Sequence, residues 1–332
     1  MARAIAARTK GDDYQARWFW LQVCRLFSDR TKVVRVVYEA NNVKSFDDVV
    51  VHFEGMADEE GHPLFAEYYQ VKFHVTSGGA LTWESMMNPA FINAHSVSLL
   101  KRLKNAQEKH APTGTEAHFI LYSPWDIHPD DSLAKVHSTS DGRLDWHRLS
   151  QGGERSELGR LRAAWRQHLG LSSDEELRNI LRPLRIRRGR TLAELQDTLN
   201  DKLHRAGLCP VDEYRLSNPY DELTRKLLQN GQTEFSRSDI ENVCKRENLW
   251  MGQAAIETSA YQVGFRSFLR WAEHLEDQTD VMLDLLHFFN GRRIMSFNLW
   301  QEDILPSIKQ FLNRELQQCE QCDLHLHVHT SI

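Results

Sequence analysis

The chain has 332 residues, 41% of them hydrophobic and 26% charged, with a formal net charge of −5. That length exceeds one compact core of average size, so two or more domains are expected, with ordinary globular chemistry. The weakly acidic total excludes a surface that is basic throughout, and any nucleic-acid site must be a local patch. Five scattered cysteines (Cys24, Cys209, Cys244, Cys319 and Cys322) are odd in number and lack framework spacing, which points to a reducing cytoplasm. No apolar run approaches the ~18 residues of a membrane span, and the sequence shows no signal-peptide core, internal repeat or low-complexity tract.

In chain order, residues 11–29 read as an amphipathic helix with Asp12 or Asp13 as its N-cap. Three strands follow at 32–40, 47–53 and 67–75, the last two joined by the acidic, glycine-containing segment EGMADEEGHP. A helical stretch over about 83–107 is interrupted by Pro89, and EAHFILYS (116–123) is a fourth strand. The order helix, three strands, helix, strand describes an α/β sheet covered by helices.

The segment AEYYQVKFH raises the first chemical question. Alternation puts Tyr69, Val71, Phe73 and Val75 on one face of a half-buried strand, with Tyr68, Gln70, Lys72 and His74 on the other. A solvated edge strand explains this pattern without any function. In the preceding strand Asp47, Val49, Val51 and Phe53 share one face, and Asp48, Val50 and His52 the other. Paired side by side, the two strands bring Asp48 onto the face of Gln70 and Lys72, with Glu39 at the end of the strand before. Asp48 and the Gln70 amide oxygen are hard ligands suited to Mg²⁺. Lys72 is suited to holding a water and stabilising charge on a phosphate. The bland alternatives are turn aspartates, a solvated Glu39 and hydrogen-bonded strand histidines; His52 and His74 are assigned no role.

An αβββαβ order with an acid followed by a (D/E/Q)-x-K strand resembles the PD-(D/E)xK, restriction-endonuclease-like nucleases. GDDYQ, FDDVVV and YYQVKFH are similar to the endonuclease domain of antiphage effectors from cyclic-oligonucleotide-based signalling systems, in which a SAVED sensor domain follows the nuclease. The resemblance implies an active site of Asp48, Gln70 and Lys72, with Glu39 as an additional acid and Gln15 as a helper near the scissile phosphate. It implies a metal held by Asp48, Gln70 and Glu39: Mg²⁺, with Mn²⁺ as the expected substitute. Double-stranded DNA is the implied substrate, and self-association the implied route to activation. The usual proline before the acid is absent, since Phe46 and Asp47 precede Asp48, and Gln70 replaces the second acid. Metal affinity therefore leans on Asp48 and Glu39.

Beyond residue 150 the pattern turns helical. RPLRIRRGR (182–190) holds five arginines and suits either phosphate binding or the solvated face of an edge strand. Residues 191–207 form an amphipathic helix ending at Gly207. Residues 220–246 resemble a small helix-turn-helix with Ser236 as N-cap and Asp239 three residues on, read mainly as a packing module. Trp271, Phe288, Phe289 and Trp300 are expected in a buried helical bundle. Cys319, Cys322, His325, His327 and His329 can be read as a zinc site, or as the opening strand of a truncated sensor, the reading preferred here.

The expected architecture is a restriction-endonuclease-like domain with appended helices over 1–208, a helical connector over 209–318, and the first strand of a sensor over 319–332. The expected function is a cytoplasmic, metal-dependent endonuclease of antiphage defence, responding to a cyclic oligonucleotide only through the sensor. The alternatives are a non-catalytic nucleic-acid-binding or scaffold protein, and a nuclease subunit of an ATPase-coupled complex.

Overall fold

Helix α1 begins at Ala2 and runs to Val23, so Asp12 and Asp13 lie inside it and neither caps it. The alanine-rich sequence ARAIAARTK carries good helix formers and extends the helix upstream. Asp13 instead pairs with Arg225 at 2.7 Å. The computed structural model describes residues 2–40, 46–73, 80–92, 94–211 and 217–252. The aromatic residues of the expected bundle, His74, and the terminal cysteines and histidines lie outside the described residues.

Strands β1 (Val33–Tyr38), β2 (Val49–Ala57) and β3 (Pro63–Val71) form an antiparallel meander. Half of the segment EGMADEEGHP, expected as a loop, belongs to β2 and β3. Its turn closes on Asp58, whose Oδ1 accepts from the backbone N–H groups of Glu60 and His62. After β3, two short 3₁₀ turns at Ser85–Met87 and Pro89–Ile92 occupy the expected start of the long helix. The helix itself, α2, spans Leu99–His110 behind an Ser98 N-cap, as the interruption at Pro89 requires. β4 (Ala117–Ser123) lies parallel to β3. Then come α3 (Ser132–Val136), α4 (Trp146–Leu149), α5 (Glu157–Leu169) and α6 (Asp174–Leu181). β5 (Leu184–Arg188) and α7 (Leu192–Arg205) follow, then α8 (Pro219–Gln229), β6 (Glu234–Phe235) and α9 (Arg237–Arg246). The sheet order is β5-β4-β3-β2-β1-β6, an α/β architecture with a mixed sheet.

Each face of the sheet carries its own core. Val49, Val51 and Phe53 join Tyr69 and Val71 under α1, α7 and α8, while Val50 and Tyr68 join Leu99, Leu100 and Leu103 of α2. The expected alternation is therefore present, but β3 is central and buried on both faces, so neither the half-buried strand nor the solvated edge applies. The strand also stops at Val71, ahead of the expected end. Glu67 is buried in it, accepting from Arg25 and Tyr69, both at 2.8 Å. β5 is an edge strand, as one reading of the arginine run held, and three arginines of that run pair with acids of this chain. Arg182 meets Glu60, Arg185 meets Glu59 and Arg188 meets Asp126.

The 220–246 unit is a packing module. Leu223, Leu227, Ile240 and Val243 enter the α1-side core, and β6 extends the sheet beside β1. Ser236 and Asp239 form the reciprocal capping box that fixes the start of α9. Trp20 of α1 is fully buried and donates from Nε1 to Thr224 Oγ1 at 2.8 Å. The first compact unit accordingly ends at Met251, not at the expected boundary of 208, and Gly252–Ile332 forms the second.

A fragment ending at 251 is expected to unfold in one cooperative thermal transition. A fragment ending at 208 is expected to aggregate, because it uncovers Trp20 and strips β6 from β1. Circular dichroism melts and size-exclusion chromatography of the two fragments check this.

Candidate active site

The β1–β2 register pairs Tyr38 with Val49, and the β2–β3 register pairs Val49 with Tyr69. One step further along these ladders, Glu39, Asp48 and Gln70 come side by side at the same end of three adjacent strands. Backbone bonds carry the pairing past the strand ends: Glu39 N–H donates to Asp48 O at 3.0 Å and Ala40 N–H to Asp47 O at 2.8 Å. Asp48 Oδ2 accepts from Gln70 Nε2 and from the Val71 backbone N–H at 2.6 Å. The carboxylate thus seals the place where the β2–β3 ladder ends. Lys72 N–H then turns to β4, donating to Tyr122 O at 2.8 Å.

Glu39 has φ 51°, in the left-handed region that a non-glycine residue rarely occupies. Strain of this kind concentrates at functional positions. Breaking the strand conformation there lets Gln15 of α1, on the other side of the sheet, donate from Nε2 to Glu39 Oε1 at 2.5 Å. Gln15 thus holds Glu39 and Gln70 holds Asp48, and Lys72, just past the end of β3, lies near enough for its charge to favour the ionised form of both carboxyls.

Burial and the neighbouring Asp48 charge push Glu39 up to about 7, against the hydrogen bond from Gln15. Burial raises Asp48 as well, against Lys72 and its two N–H donors. Asp47 is raised to about 6 by burial and by Asp48. Three carboxyls raised chiefly by burial, near one another, are a donor set of the hard oxygen type that suits a divalent cation. Among the described residues no group of three or more His, Cys, Asp or Glu side chains is arranged as a metal centre. Any such cation would rest on two carboxylates and an amide.

Two participants were not found from sequence. Arg102 of α2 donates from Nη1 to Gln70 Oε1 at 3.4 Å, and its charge favours the ionised forms of Asp47 and Asp48. It sits in the basic run LLKRLKNAQ, which gives no hint that α2 crosses β3 at Gln70. Asp47 was expected on the opposite face; its carboxyl lies within electrostatic reach of Asp48, Arg102 and Lys72. His52 is kept neutral, pushed down to about 4 by burial and by Arg35.

The chain is 34% identical, over 343 aligned residues, to CD-NTase-associated protein 4 of Enterobacter hormaechei subsp. hoffmannii (strain UCI 50). The alignment takes in 100% of this chain and 66% of that protein, just under two thirds of its length. No family model matches the sequence. No helix among the described residues is long and apolar enough to cross a membrane.

Because Glu39 titrates near 7 in the fold and near the ordinary carboxylate range when unfolded, folding binds a proton there. Its cost to stability grows as pH rises through that window and is absent below it. Glu39→Gln is expected to raise the melting temperature relative to wild type at pH 8 and to leave it unchanged at pH 4. Thermal denaturation of both proteins across pH 4–8 checks this.

Proposed function

We propose that residues 1–251 are a metal-dependent endonuclease that hydrolyses DNA phosphodiesters, with double-stranded DNA the expected substrate, as the effector of an antiphage defence system. The observation that carries this reading is the meeting of Glu39, Asp48, Gln70 and Lys72 at one end of three adjacent strands. The chain order α1-β1-β2-β3-α2-β4 fits the restriction-endonuclease-like core. The similarity to a CD-NTase-associated protein supports the defence role.

In this reading Asp48 and Glu39, with the Gln70 amide, would hold Mg²⁺ or Mn²⁺. Such an ion would supply Lewis-acid stabilisation of the phosphate. Lys72 orients the attacking water and stabilises charge gathering on the phosphoryl oxygens. Gln15 fixes the orientation of Glu39, and Arg102 fixes the amide of Gln70, so both are positioning residues. Gln70 contributes no charge, which leaves Asp48 and Glu39 as the electrostatic anchors. Self-association driven by a cyclic oligonucleotide is the proposed trigger.

Nicking of supercoiled plasmid by the isolated chain is expected to be slow, dependent on Mg²⁺ and abolished by EDTA. Lys72→Ala is expected to lower the rate by ~10²-fold or more without loss of folding. Near-wild-type nicking by that variant would remove Lys72 from the site.

The two adjacent aspartates separate in the same assay. Asp48→Asn is expected to abolish activity, and Asp47→Asn to retain much of it. Turnover is not needed to see the metal site: millimolar Mg²⁺ is expected to raise the melting temperature of wild type but not of Asp48→Asn.

A further inference from the structure

The β2–β3 hairpin has two ends. One carries Asp48 and Gln70; the turn at the other forms part of a cavity of about 420 Å³, within the range of small-ligand sites. His118 of β4, Arg178 and Arg182 of α6, Arg185 of β5, Arg143 and Trp146 line it. Glu60, in the exposed turn, is gripped by two of these: Arg143 Nη1 donates to Oε1 and Arg182 Nη2 to Oε2, both at 2.9 Å. Arg185 Nη2 reaches Glu59 Oε2 at 3.5 Å, and Arg178 is loosely paired with Glu175 at 3.7 Å.

The wall is built in advance of any ligand. Gly142, at φ +78°, lies so close to β5 that a Cβ would stand 2.7 Å from Ile186 O. Ile186 N–H donates to Gly142 O at 2.8 Å, and Asp145 N–H to Val136 O at 2.7 Å. The other acids here are engaged in turns and caps: Asp58 with Glu60 and His62 N–H, Asp141 with Arg143, and Asp145 with Arg148 N–H. Against burial, hydrogen bonds from Arg143 and Ser138 pull Asp141 down to about 2, and the Arg182 hydrogen bond holds Glu60 below the usual range. Asp58, Glu60, Asp141 and Asp145 equal the four lining arginines in number, so the arginines come into excess only when Glu60 leaves.

Arg185 and His118 are 3% and 4% exposed. Arg185 Nη2 donates to His118 Nε2 at 3.0 Å, so the imidazole is neutral with its proton on Nδ1. Burial and the Arg185 charge push His118 down to about 4, which agrees. Among the described residues neither His118 Nδ1 nor Arg185 Nε has a hydrogen-bond partner. Buried donors are rarely left so, and these two, with four arginines, ask for a group that only accepts. A single carboxylate has too few oxygens for that many donors; a phosphate group matches them.

We propose that this cavity binds a phosphate group, free or on a monoester, whose oxygens take the Arg143–Arg182 fork that now holds Glu60. Glu60 is an internal stand-in for the ligand. The turn survives its release, because its backbone bonds run to Asp58. Trp146 offers an aromatic wall to an organic remainder such as a nucleoside.

Isothermal titration of the full chain with inorganic phosphate and with adenosine 5′-monophosphate, at constant ionic strength, tests this. Wild type is expected to bind saturably. Glu60→Ala, which removes the competitor from an exposed turn, should bind on the order of tenfold more tightly. Arg182→Gln, checked for folding by its melt, should bind on the order of tenfold more weakly. Tighter binding of the nucleotide than of phosphate, with the margin lost in Trp146→Leu, identifies a phosphomonoester; equal binding identifies free phosphate. Absence of saturable binding in both wild type and Glu60→Ala overturns the proposal. So does a Glu60→Ala variant that binds no better than wild type.

Discussion

The Asp48 carboxylate accepting the Val71 N–H and the Gln70 amide is the interaction on which the site depends. It lies where β3 leaves the β2 ladder and its next N–H, that of Lys72, goes over to β4. A backbone donor at this junction needs an acceptor from outside the ladder, and a carboxylate supplies one with charge. Burial raises the Asp48 carboxyl, and burial together with the charge of Asp48 raises Glu39. Structure and electrostatics are here one arrangement.

The junction is held by the cover on both faces of the sheet. On one side Trp18 stacks on Tyr122 with ring centroids 3.6 Å apart, and Trp20 locks α1 to α8. On the other, Leu99, Leu100 and Leu103 press α2 onto β3, which brings Arg102 to Gln70. Packing thereby sets the chemistry: a rotation of α2 would move the guanidinium away from the amide it orients. Removing a buried aromatic such as Trp20 typically costs about 3–5 kcal/mol, and here it would also loosen the helix that carries Gln15.

Charge is distributed unequally along the β2–β3 hairpin. The end at Asp48 holds carboxylates in excess, and the turn end holds arginines whose partners are turn and cap acids. Between them Glu67 and Arg25 form a buried pair; burial opposes ionisation of Glu67, yet Arg25 holds it below the usual carboxylate range. A bulge between His52 and Met56, with Gly55 at φ +67°, interrupts the register along the way.

The sequence by itself determined the strand alternation, and so the face shared by Asp48 and Gln70, because a period of two permits one assignment once both strands pair. It also determined the break before α2 and the capping box at Ser236, since proline and caps act locally, while for β5 it left an edge strand and a phosphate-binding run both open. It did not reveal that β3 is buried on both faces, because the same alternation serves an edge strand and a central one until its neighbours are known. Nor did it place the first unit's end at Met251, which rests on β6 pairing with β1 and on Trp20 meeting Thr224 across a long stretch of chain. Arg102, Asp47 and the Glu60 fork were decided by tertiary structure alone. Each depends on where a helix crosses the sheet or a chain leaves its strand, and residue spacing carries no record of either.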